Sequence, residues 1–149
     1  MRRDLYSQLI YARTIPIIGG VAYYMLKLLG VEIPRPVKIG DDFELAHGGF
    51  GVVIHPSTTI GNRVKVYPGV TLGRADIFRP AKQSQFKGIV VDDDAVLCPG
   101  AKILCKEGIL RIGSGSVIGA NAVLLESTGV NEIWAGVPAR LVGMRDVDI

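Results

Sequence analysis

The chain has 149 residues, of which 48% are apolar and 7% aromatic, with 19 glycines, two histidines, two cysteines and a formal net charge of +3. That length suits one domain with its own core, and a glycine-rich, aromatic-poor balance favours an all-β repeat, whose tight corners need residues that tolerate positive φ. The mild charge, without Lys/Arg runs or interleaved aromatic stripes, excludes a nucleic-acid surface, although a basic chain still attracts anionic ligands such as nucleotide phosphates.

Residues 1–30 read as a short helical segment. An apolar stretch from Ile15 to Val31 is interrupted by Pro16, the Gly19-Gly20 pair and Lys27, and a membrane span needs about 18 or more clean apolar residues. No small-residue cleavage site follows, which argues against a signal peptide. The pattern predicts amphipathic helices over 4–12 and 20–29, docked on the end of the main domain. Arg2, Arg3 and Arg13, with the apolar Tyr23, Tyr24, Met25, Leu26, Leu28 and Leu29, leave weak membrane-surface contact as a second reading. The expected location is the cytoplasm, with peripheral attachment to the inner membrane face as the variant.

From residue 31 to 128 an aliphatic residue recurs every sixth position. The series runs Ile33, Ile39, Leu45, then Ile54, Ile60, Val66, Leu72, then Val91, Leu97, Ile103, and finally Ile112, Ile118, Leu124. Two residues before each stands a residue that is mostly small or β-branched: Val31, Val37, Phe43, Val52, Thr58, Val64, Val70, Ile89, Ala95, Ala101, Leu110, Ser116 and Ala122. Helices show a period near 3.6 and ordinary strands a period of two; neither gives six. A period of six means one short strand and one turn per hexad, with three hexads closing a triangular coil whose aliphatic residues stack on the next coil. The fold class is therefore all-β, a left-handed parallel β-helix of the hexapeptide-repeat type.

The register breaks at three places. The steps from Leu45 to Ile54 and from Ile103 to Ile112 are nine residues each, so a corner bulges at each. The step from Leu72 to Val91 is nineteen, which expels residues 74–87 as a polar loop that cannot be core. After Leu124 the pattern fades, and residues 129–149, with Trp134 through Gly143, read as a C-terminal cap or arm. Cys98 and Cys105 read as reduced thiols without zinc-site spacing.

His47 lies in the first bulged corner, in Ala46-His47-Gly48-Gly49-Phe50-Gly51, where three glycines allow close approach by a ligand; His55, in Ile54-His55-Pro56-Ser57, reads as a structural corner residue. Two histidines cannot supply the three zinc ligands of a β-helix carbonic anhydrase, so no metal is expected.

An ordered set of motifs spans residues 30 to 143: Gly30-Val31-Glu32-Ile33, Val37-Lys38-Ile39-Gly40, His47, Gly51-Val52-Val53-Ile54, Gly69-Val70-Thr71-Leu72-Gly73, Gly100-Ala101-Lys102-Ile103-Leu104, Ile118-Gly119-Ala120-Asn121-Ala122-Val123 and Gly136-Val137-Pro138-Ala139-Arg140. This set resembles the serine acetyltransferase branch of the hexapeptide-repeat acyltransferases, in style closest to bacterial sugar and capsular polysaccharide O-acetyltransferases. The resemblance implies acetyl-CoA as co-substrate and a homotrimer with active sites between chains. It further implies that His47 is the general base and that Glu32, fifteen residues earlier where the family usually has Asp, orients its imidazole. An imidazole titrates near neutrality and can take the proton of an attacking hydroxyl. Gly73, Ala101 and Ala120 would meet the pantetheine arm through their backbone, and Lys102 and Arg140 the nucleotide phosphates.

The chain departs from serine acetyltransferases where they hold their acceptor, reading Ala46 for an Asp and Lys87 and Gly88 for an Arg-His pair. The expected function is therefore transfer of an acetyl group from acetyl-CoA to a hydroxyl of a sugar or glycan precursor, in polysaccharide biosynthesis, by direct transfer without a covalent enzyme intermediate. Serine acetyltransferase-like activity, N-acetylation of an amino sugar and a non-catalytic β-helix scaffold stand as alternatives.

Overall fold

The structure, a computed structural model, describes residues 4–147. Fourteen strands among these residues form three sheets that make the sides of a triangular prism. The first face holds Val53–Ile54, Thr71–Arg74, Lys102–Cys105 and Val123–Leu124. The second holds Lys38–Ile39, Thr58–Ile60, Phe86–Val91 and Gly108–Ile112. The third starts with Glu44–Leu45, Lys65–Val66, Val96–Leu97 and Val117–Ile118. All of these pair in parallel, because each coil passes every face once in the same direction.

The six-residue period builds the core as vertical columns. On the first face Ile54 sits over Leu72, Leu72 over Ile103, and Ile103 over Leu124. The second face stacks Ile39, Ile60, Val91 and Ile112; the third stacks Leu45, Val66, Leu97 and Ile118. Every one of the aliphatics except Ile39, which is half-buried, lies in the core. The residues two positions earlier are all buried as well, from Val31 to Ala122, so each hexad contributes two inward side chains. Small or β-branched residues predominate there, although the larger Phe43, Ile89 and Leu110 occupy the same position and are buried too.

The fading repeat after Leu124 conceals one more rung. Glu132–Gly136 pairs in parallel with Val117–Ile118 and seats Trp134 on Ile118, in the third-face column. Ala139–Met144 then turns back antiparallel to close that sheet. On the second face the rung has no strand. There Thr128 supplies the hydrogen bonds, its amide donating to the Arg111 carbonyl and its hydroxyl accepting from the Gly113 amide.

Two helices close the other end of the prism. The first, Leu5–Ala12 (α1), starts at Asp4, whose carboxylate accepts the Ser7 amide at 2.8 Å as an N-cap. The second, Gly19–Leu28 (α2), buries Ala22 and Leu26 against the first coil. It leaves Val21, Tyr24 and Leu28 exposed. In the turn between them Ile17 takes φ of 74°, a left-handed conformation costly for a β-branched residue.

The expectation that Arg13 joins a membrane-facing basic group is corrected: Arg13 is 1% exposed. Its guanidinium donates to the carbonyls of Pro34 at 3.0 Å, Ile10 at 2.8 Å and Val37. It thereby ties α1 to the entry of the first coil, and its own carbonyl accepts from Arg35. Burial pushes the guanidinium pKa down to about 10, so it is still charged at neutral pH. Arg2 and Arg3 lie outside the described residues, and no helix among the described residues is long and apolar enough to cross a membrane. Replacing Arg13 by Met removes the guanidinium donors to those carbonyls, of which only that of Pro34 keeps another, the Val37 amide, and is expected to cost about 2–4 kcal/mol, read by urea unfolding.

Candidate active site

His47 stands where the chain turns from the third face to the first. The three extra residues of this corner wind it into a short turn, Ala46–Gly49, in which His47 has φ of 53° and Gly48 φ of 77°. Histidine tolerates the left-handed region better than most residues. Gly48 is needed for close approach as well, since a Cβ there would meet the Tyr6 ring of α1 at 2.8 Å. The turn is thus clamped from below by α1, and the imidazole is left exposed, its ring centroid 6.0 Å from that of Tyr67 on the next corner.

The same corner recurs up the prism as a ladder of left-handed residues. Gly69 donates its amide to Phe50, Gly100 to Pro68 and Asn121 to Pro99, each at 2.9 Å. Gly100 has no freedom to carry a side chain, because its Cβ would lie 2.0 Å from Asn121 Oδ1. Ala120, exposed, sits on this edge two corners above Gly69.

Beside the edge, on the first face, lies a groove of ≈ 600 Å³ lined among others by Glu32, His55, Thr71, Gly73, Arg74 and Ile77. The loop 74–87 forms its far wall. Arg74 Nε donates to Asp76 Oδ1 at 2.9 Å, and Arg74 Nη2 to the carbonyls of Asp76 and Arg79, which folds the loop onto the prism. Hydrogen bonding from Ser84 first, and then Arg74, holds the Asp76 carboxyl below its ordinary range. Ile77 and Phe78 project from the loop at 81% and 77% exposure.

Glu32 opens the groove but is not hydrogen-bonded or ion-paired to His47 among the described residues. Its carboxylate accepts the Tyr23 hydroxyl and pairs with Lys27 Nζ at 3.1 Å. These contacts raise the pKa of both Tyr23 and Lys27, with the hydrogen bond to Glu32 as the largest cause. The sequence placed Tyr23 in an apolar face and Lys27 as an interruption; their i, i+4 spacing on α2 puts both on one helix face, yet nothing local shows that this face meets Glu32.

The other expected site residues divide. Gly73 lies in the groove floor, in register with Leu104, with no atom nearer than 3.8 Å to the position of a Cβ, so the groove comes close to its backbone. Ala101 has a fully buried side chain, its amide donates to Cys98 and its carbonyl accepts from Thr71. Lys102 crosses the first face between Thr71 and Val123 and spends its ammonium on the Gly69 carbonyl of the corner ladder. Arg140 is exposed on the returning strand of the terminal hairpin, bonded to its own residue's neighbour Ala139. Its strand, Ala139–Met144, stands five strand spacings from Glu44–Leu45 in the third-face sheet, about 24 Å. A ligand reaching from His47 to Arg140 must therefore be long and lie parallel to the axis. Cys98 is half-buried and Cys105 buried, and burial pushes both thiols up. Among the described residues no group of three or more His, Cys, Asp or Glu side chains could hold a metal.

Comparison with known proteins agrees with this architecture. No family model matches the chain. A protein of Bacillus licheniformis named serine acetyltransferase is 38% identical over 113 residues, covering 76% of this chain and 48% of that protein. A Staphylococcus aureus protein of the same name is 36% identical, covering 76% of this chain and 49% of that one. The chain thus spans about half the length of the curated relatives it matches. Among solved structures, a truncated serine acetyltransferase apoenzyme superposes with a TM-score of 0.74 at 29% identity, covering 93% of this chain and 59% of that one. A serine acetyltransferase in complex with CoA gives 0.67 at 29% identity, over 92% and 53%. None of these names is that of a sugar or capsular O-acetyltransferase. The chain is a left-handed parallel β-helix of the hexapeptide-repeat kind, similar in sequence and fold to the serine acetyltransferases.

Proposed function

We propose that this chain transfers an acetyl group from acetyl-CoA to the hydroxyl of a small acceptor, with serine as the acceptor its relatives' names support. The glycan acceptor expected from Ala46, Lys87 and Gly88 rests only on residues that are missing, and no named relative stands behind it. The observation that carries the reading is His47: an exposed imidazole on a left-handed corner, at one end of an edge of stacked, hydrogen-bonded corners.

In this reading His47 takes the hydroxyl proton as the acceptor oxygen attacks the thioester carbonyl, then passes it to the departing CoA thiolate. Acetyl-CoA supplies the activated acyl group. Gly73 in the groove floor and Ala120 on the corner edge offer backbone to the pantetheine arm, and Arg140 a phosphate-binding charge on the terminal hairpin. Ala101 and Lys102 contribute through the stiffness of the corner. Glu32 serves as the orienting carboxylate once its side chain swings from Tyr23 and Lys27 towards the His47 corner. Ile77 and Phe78 support a homotrimer in which the loop of one chain closes the groove of the next, since projecting apolar side chains gain by burial.

The test is thiol release by the full chain with acetyl-CoA and either L-serine or a panel of free and nucleotide-linked sugars. Release with serine and little with sugars is expected; release with sugars alone would reject the serine acceptor.

A further inference from the structure

The net positive charge of the chain lies in its first 31 residues. There Arg2, Arg3, Arg13 and Lys27 stand against a single carboxylate, Asp4. Residues 32–149 carry 13 basic and 13 acidic side chains, so the whole net charge of +3 belongs to the segment that precedes the prism. From Leu5 to Val31 no residue is acidic.

The same segment exposes an apolar stripe. The buried residues of α2 are Gly19, Ala22 and Leu26. Successive residues of a helix point about 100° apart, which gathers Ile18, Val21, Tyr24, Met25 and Leu28 on the side away from those three. All five are exposed, Leu28 at 89%. Ile17, in the turn before α2, adds a sixth apolar side chain at 97% exposure. Its left-handed φ of 74° is costly for a β-branched residue. At that exposure, packing within the chain returns almost none of the cost.

We propose that this stripe docks on the surface of an anionic phospholipid bilayer, seating the helical end of the prism on the membrane. Charge and size both select this occupant. A helix of ten residues is about 15 Å long. Its stripe is far smaller than the roughly 800 Å² that each partner buries in a stable protein interface. A bilayer sets no such minimum, because each side chain that enters the headgroup region gains by its own burial. Basic residues beside the stripe gain further from anionic headgroups, and no carboxylate from Leu5 to Val31 opposes them. Tyr24, with an apolar ring and a polar hydroxyl, suits the depth of the headgroups. The surface lies at the end of the prism opposite Trp134 and stands apart from the acetyl-transfer reading.

The experiment sediments the full chain with vesicles of phosphatidylcholine containing about one-third phosphatidylglycerol, and with vesicles of phosphatidylcholine alone. Binding to the anionic vesicles should be about tenfold tighter or more. Val21→Ser combined with Leu28→Ser should lower the anionic-vesicle partition about tenfold or more. Both side chains are exposed, so thermal stability should be unchanged. Ile109→Ser, at a comparably exposed position on the prism, should bind as wild type does. In Tyr24→Trp, lipids brominated on the acyl chains should quench the new indole and spare the buried Trp134. No binding to anionic vesicles, equal binding to neutral ones, or binding that the double variant retains overturns the proposal. So does a smaller assembly of the double variant than of wild type in sedimentation velocity without lipid, which would assign the stripe to a second copy of the chain.

Discussion

Replacing His47 by alanine is expected to lower kcat about 10²–10⁴-fold, the range by which a positioned general base accelerates proton transfer. The KM values for acetyl-CoA and serine should change little, since the imidazole acts on a proton that moves only in the transition state. The variant should remain folded, because the side chain is exposed and its ring neighbour Tyr67 lies on the next corner. One structural cost is foreseeable: alanine tolerates φ of 53° less well than histidine does. His47→Asn, a residue at ease in the left-handed region, separates the two effects. It should restore whatever thermal stability His47→Ala loses and leave the rate just as low. Activity within a few-fold of wild type in either variant removes His47 from the reaction.

The largest effect on stability is expected within the columns. Ile103 is fully buried, with Leu72 below it and Leu124 above it on the first face. Ile103→Ala deletes a link in a stack whose neighbours are fixed by strand pairing on both sides, so the void cannot close by local shift. The expected loss is about 2–5 kcal/mol, or about 5–15 °C in Tm for a chain of this size. Ile109→Ala, on the same prism but 56% exposed, should cost no more than about 0.5 kcal/mol. Comparable losses for the two variants would mean that the inward columns are not what holds the coils together. The comparison must be made at one protein concentration, because assembly into trimers would add concentration-dependent stability.

These two residues also mark how differently the core and the site were legible. Ile103 could be assigned to the inside from spacing alone, because every rung repeats the same backbone and the register is carried from coil to coil. His47 was conspicuous as a histidine among glycines in a bulged corner. Its expected partner was assigned by resemblance, and within the chain Glu32 bonds Tyr23 and Lys27 instead. Ala101 illustrates the opposite difficulty. It lies in a motif expected to touch the ligand, yet it is also one of the residues two positions before an aliphatic, and in the structure that position points inward.

By itself the sequence determined the prism: the period, the three columns, the two nine-residue corners and the presence of an expelled loop between Leu72 and Val91, although the structure keeps Arg74, Phe86 and Lys87, expected in that loop, within strands. The sequence could do so because a repeat is a local rule, satisfied by each hexad against the next. The tertiary structure alone decided the meetings that cross this rule. Arg13 becomes a buried tie to the first coil, Trp134 fills a column seat after nine residues without a repeat, and His55 lines a groove beside Arg74, its ring accepting the Ser57 amide. Each depends on which distant segments meet, and that is set by shape and hydrogen-bond satisfaction between them, for which no spacing in the chain provides a count.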